Sequence, residues 1–239
     1  MGIKTSNLIL LHLVLVLPYC LLYFVHYDYL TIVYLEDGFV EWLSFFAWFG
    51  AGIIFLLLFI KCLRSCDYLK AFWILVLTAV TLIAAGEEIS WGQRILGYET
   101  PAAVESVNLQ QEMNLHNMKW LDVRVEAGGG RKTGVARWLK FNRLGALFWL
   151  GFLVILPVGC LLSDPFKRVV NRCEIPVVAL YISLLAVVNY LMYVLLKNTS
   201  FLSVRDLPRY ALDEYKEAAV ALLFFLAAVY LRSNRSTDR

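Results

Sequence analysis

Long apolar runs separated by short polar intervals set the pattern of this chain. A helix rises about 1.5 Å per residue, so roughly 20 mostly apolar residues cross the hydrocarbon of a bilayer. Runs of about that length lie at 7–26, 40–60, 69–86, 144–162, 175–196 and 215–231. The third is short, and polar residues continue it. In lipid every backbone N–H and C=O must be satisfied inside the segment, which leaves the α-helix as the fitting element for such runs. The pattern predicts an all-α, polytopic transmembrane helix bundle of about six spans, forming a single integral membrane domain over 1–239. A helical interfacial loop is expected between spans three and four, within the polar segment 87–143. Pro18 is expected to kink the first span, because proline removes a backbone donor and clashes with the preceding turn.

Composition agrees with that pattern. Hydrophobic residues make up 60% of the chain and charged ones 17%, with a mean hydropathy of +0.66. A soluble domain carries roughly 45–50% and about 25% respectively, so lipid must replace water around much of the surface. The net charge of +3 gives no basis for nucleic-acid binding. Lys4 precedes the first apolar run as in a signal peptide, but no small-residue cleavage site follows, and the run is read as a retained span.

With an even number of spans, both termini share one side with the loops 61–68 and 163–174. Call it side one. These short loops are rich in Lys and Arg, whereas 27–39 has none, and basic short loops face the cytoplasm. The expected placement is therefore cytoplasmic termini, with the acidic clusters on the opposite face. Arg131, Lys132, Arg137, Lys140 and Arg143, ahead of the fourth span, run against this assignment. Cys62, Cys66, Cys160 and Cys173 lie at or near side one, where free thiols suit a reducing compartment.

The same parity gathers three polar clusters at side two: Glu36-Asp37-Gly38 with Glu41, the stretch from Gly86-Glu87-Glu88 to His116-Asn117, and Asp213-Glu214 with Glu217. Ionisable groups beside hydrocarbon are costly and usually face a bundle interior or a water-filled cavity. In Gly86-Glu87-Glu88-Ile89-Ser90-Trp91-Gly92-Gln93-Arg94, a continuing helix would put Glu87, Trp91 and Arg94 on one face. The alternative is an ordinary interfacial helix end with solvated carboxylates and a Trp anchor. Thr100-Pro101 supplies an N-cap and a first-turn proline for a new helix running to about Met118. On that helix Asn108, Glu112 and His116 would recur every four residues, with Gln110, Asn114 and Asn117 as a second stripe. Glu112-x-x-x-His116 is a spacing that two ligands of one metal can use, and one that ordinary helix surfaces also carry. The stretch 131–143, after Gly128-Gly129-Gly130, reads as a basic amphipathic helix on anionic headgroups.

Three functional readings follow. The first is an enzyme acting on a lipid or lipid-linked substrate, assisted by a divalent metal. Its catalytic candidates are Glu87, Glu88 and His116. Trp91, Arg94, Asn108 and Asn117 are its substrate-binding candidates, and Glu88, Glu112, His116 and Asp213 its metal ligands. With one histidine in the polar segment, a three-His zinc site is not expected. The second reading is a non-catalytic subunit of a membrane complex, with a membrane-protein partner or a second copy. The third, an ion or proton conductor, requires polar residues across the full depth. The spans supply few: His12, Thr78, Thr81, Ser183 and Asn189.

Overall fold

The computed structural model describes residues 38–109, 111–115, 118–119, 141–198 and 209–234. The expectations for 7–26, Glu36, Asp37, His116, Asn117 and most of the basic stretch, 131–140, lie outside the described residues, as does the side chain of Arg94. Among the described residues the chain is all-α, with no strand and one isolated bridge between Asn108 and Met118.

The apolar runs that fall among the described residues form helices. α1 spans Phe39–Arg64 and α2 spans Tyr68–Glu88, joined by a tight turn in which Asp67 N–H donates to the Cys62 carbonyl at 3.0 Å. α3 (Phe141–Leu150) continues through a wider, π-helical turn at Gly151–Ile155 into α4 (Leu156–Leu162). Pro157 accounts for that wide turn, since it has no N–H to bond back and its ring would clash with the carbonyl four residues earlier. α5 is the short helix Asp164–Arg172, capped by Ser163, whose hydroxyl accepts from the Phe166 N–H at 3.3 Å. α6 covers Leu180–Asn198 and α7 covers Arg209–Asn234. Four helices are long and apolar enough to cross a membrane: α1, α2, the continuous helix Arg143–Leu162, and α6. The run expected from 175 becomes helical only at Leu180, after a non-helical stretch that carries Pro176.

The core sits along α7, whose Ala218, Ala219, Ala221, Ala227 and Ala228 are buried. Such small side chains let neighbouring backbones approach closely, the usual device where apolar solvent surrounds a bundle. α1 answers with its own small residues. A Cβ on Gly50 would lie 2.9 Å from the Phe225 ring, and one on Gly52 only 2.5 Å from Leu82 Cδ2. Phe224 fills the centre, with its ring 5.0 Å from Trp48, 5.9 Å from Phe148 and 5.5 Å from Phe152. Large apolar side chains also cover the outside, among them Phe46, Leu57, Phe72 and Leu191.

The long interfacial helix does not form. Only Ala102–Glu105 is helical there, a single turn. Thr100 does not cap it; its hydroxyl accepts from Gln93 Nε2 at 2.7 Å instead. Beyond Glu105 the asparagines compete with helical bonding, as short amide side chains do. Asn108 Nδ2 donates to both the backbone carbonyl and the Oδ1 of Asn114, at 2.8 and 2.9 Å. Lys119 N–H then closes the loop on the Val107 carbonyl at 2.8 Å. Asn108 and Glu112 therefore do not share a helix face, although the Glu112 N–H lies 3.5 Å from Asn108 Oδ1.

Candidate functional site

α2 stops at Glu88. Ser90, Trp91 and Gly92 all take positive φ, at 45°, 56° and 83°, and this run reverses the chain. A helix continuing through Arg94 is thereby overturned: three successive left-handed residues cannot extend a right-handed helix. Trp91 meets Glu87 nonetheless, by folding back. Its indole lies against Gly86, where a Cβ would be 3.0 Å from Cε3, and its Nε1–H donates to Glu87 Oε1 at 2.7 Å.

Glu87 is buried, and its second oxygen accepts the Leu115 backbone N–H at 2.6 Å. The carboxylate thus ties the polar loop to the end of α2. Gln93 adds a second tie, accepting the Met113 N–H at 2.8 Å. Glu112 makes a third, because its Oε2 accepts from Ser90 Oγ at 2.8 Å and from Asn114 Nδ2 at 3.1 Å. Buried polar groups are stable only when bonded, and this cap is densely bonded. Asn108, expected to touch a substrate, is buried inside it.

Glu88 turns the other way. Its Oε1 accepts from Ser44 Oγ of α1 at 2.7 Å, which is its one hydrogen bond among the described residues. Glu41 at the start of α1, and Glu214 and Glu217 at the start of α7, are near enough for their charges to act on it. The start of α1, the end of α2 and the start of α7 therefore share one end of the bundle. Lys216 brings a cation to the same end, with Nζ 3.2 Å from Glu217 Oε1.

Asp213 makes a neighbouring tie, with Lys216 Nζ 3.9 Å from its Oδ1. It accepts Lys197 Nζ at 2.8 and 3.1 Å and the Tyr193 hydroxyl at 2.5 Å, joining the end of α6 to the start of α7. Lys197 and Lys216 flank the Tyr193 ring at 5.0 and 5.3 Å from its centroid. Burial raises the affinity of Asp213 for a proton. The hydrogen bonds from Lys197 and Tyr193 and the Lys216 charge outweigh it and hold the carboxyl below its ordinary range.

The expected metal ligands Glu88, Glu112 and Asp213 thus have three different sets of partners. Among the described residues, no group of three or more His, Cys, Asp or Glu side chains is placed to hold a metal ion. Sequence reasoning missed Ser44, Lys197 and Lys216. Ser44 carried a signal, standing three residues after Glu41 on the first described helix. When compared with protein-family models, curated proteins and solved structures, the chain matches none of them.

Proposed function

We propose that the chain is a polytopic membrane protein of six crossings whose acidic end receives the polar part of a lipid or lipid-linked substrate, with Glu88 exchanging a proton with it. In this reading 7–26 and 215–231 add two crossings to the four long apolar helices, and side one faces the cytoplasm. The observation that carries the proposal is the divergence of the two adjacent carboxylates. Glu87 is consumed in holding the cap. Glu88, bonded by Ser44, lies where the charges of Glu41 on α1 and of Glu214 and Glu217 on α7 act on it, with Lys216 paired to Glu217.

Such a place suits acid–base chemistry, because neighbouring carboxylates can share a proton, one donating while another accepts. Lys216 supplies positive charge for a phosphate, and Trp91, half-exposed at the turn, offers an apolar edge to the upper acyl chain. Conduction across the bilayer gains less support. The Thr78 and Thr81 hydroxyls both bond carbonyls of their own helix, at 2.8 Å to Ile74 and Leu77, so they do not extend a polar path inward from Glu88.

The test is lipid turnover. Protein reconstituted with a polar lipid extract is incubated with and without chelator, and the lipids are compared by mass spectrometry. The expected result is turnover that survives chelation and falls at least roughly 100-fold in Glu88→Gln, within the range that loss of a general acid or base produces. Wild-type turnover in Glu88→Gln would exclude Glu88 from the chemistry.

A further inference from the structure

The opposite end of the bundle holds a groove of about 550 Å³, inside the roughly 300–1,000 Å³ range of small-molecule sites. It opens where α1 ends, α2 begins and α7 ends, beside the non-helical stretch of chain that leads from α5 into α6. Its floor is apolar, from Leu58 and Ile74, and its rim is polar, from Asp67, Lys70, Asn171 and Glu174.

The rim is held in place. Trp73 Nε1–H donates to the Cys173 carbonyl at 2.9 Å, pinning the chain after α5 onto α2. Glu174 follows directly at φ 50°, with its N–H bonded to the Asn171 carbonyl at 3.1 Å and the Ile175 N–H bonded to Val170 at 3.1 Å. Two opposite charges thus border one groove, Lys70 on α2 and Glu174 on the linker. No ion pair joins them, and among the described residues neither side chain has another charged partner.

We infer that this groove binds the headgroup of a zwitterionic phospholipid bearing a primary ammonium. Lys70 faces the phosphate, Glu174 accepts the ammonium, and Leu58 and Ile74 receive the first carbons of the acyl chains. A carboxylate distinguishes a primary ammonium from a trimethylated one, because only the former donates hydrogen bonds. An anionic headgroup without an ammonium would engage Lys70 but leave Glu174 without its partner, and so loses that contact. The groove lies at the other end of the bundle from Glu88 and depends on the proposed function only for the membrane crossing itself.

The test uses full-length protein, delipidated in detergent and offered phosphatidylethanolamine, phosphatidylcholine or phosphatidylglycerol, with retained lipid counted by native mass spectrometry. Phosphatidylethanolamine is expected to be retained roughly tenfold better than the other two, the value of about one hydrogen bond to a charged group. Glu174→Gln should erase its advantage over phosphatidylcholine, while Lys70→Ala should weaken both lipids together. Among the described residues neither variant removes a hydrogen bond or ion pair, and an unchanged melting temperature checks that. Equal retention of the three lipids, or an undiminished preference in Glu174→Gln, overturns the inference. Wild-type lipid turnover in Glu88→Gln, which would overturn the role of Glu88, leaves it untouched.

Discussion

At the scale of single residues, adjacent glutamates do opposite work because the chain reverses directly behind them. Glu87 is spent on structure. In Trp91→Phe the ring remains while the N–H is lost, leaving a buried carboxylate oxygen short of a donor. A destabilisation of about 1–3 kcal/mol is expected, read as a lowered melting temperature in detergent. Glu88→Gln is expected to keep the wild-type melting temperature while abolishing turnover, since a glutamine amide oxygen can still accept from Ser44. Asp213 gives a pH signature. Its carboxyl is held below the ordinary value in the fold, so the stability from its bonds to Lys197 and Tyr193 is complete above that ordinary value. It drains away as pH falls through the depressed one. Asp213→Asn should therefore melt below wild type at neutral pH and match it in strong acid. A constant gap across the titration would contradict the assignment.

At the scale of elements, the helices follow from long apolar runs, which admit one solution in lipid. Their packing rests on glycine and alanine. Gly52→Val would drive a branched side chain into Leu82, and a loss of about 1–3 kcal/mol is expected from overpacking, measured again by thermal melting. The four long apolar helices were legible in the sequence because length and apolar composition dominate there. So was the small-residue surface of α1, where Ala47, Ala51 and Gly52 are buried. The polar loop was not legible. Asn108, Asn114 and Glu112 have spacings that suit a helix, yet their side chains bond the local backbone and one another. Nothing in spacing alone ranks those bonds against helical ones. The tie from Asp213 to Lys197 was hidden for a different reason: the partner sits on another helix, and acids at a helix start also suit its dipole.

Across the whole molecule, the two ends differ in chemistry. One gathers carboxylates from α1, α2 and α7 under a bonded polar cap. The other carries Lys61, Arg64, Lys70, Lys167, Arg168 and Arg172 on the end of α1, the start of α2 and α5, with Lys70 lining the groove. α5 presents three of these cations while Val170 is buried beneath it, as an amphipathic helix lying on headgroups would. This polarity has meaning only if a bilayer lies between the ends. It is tested most directly by the sidedness of two exposed positions flanking α2. Cys66 is free and exposed before it, and Glu99 is exposed after it. With Cys66 as the one cysteine in one variant, and Glu99→Cys as the one cysteine in another, a membrane-impermeant maleimide is applied to sealed vesicles of known orientation. The expected result is labelling of Cys66 from the cytoplasmic side alone and of position 99 from the other side alone. Labelling of both positions from the same side would contradict a crossing by α2, and with it the separation of the acidic end from the basic one.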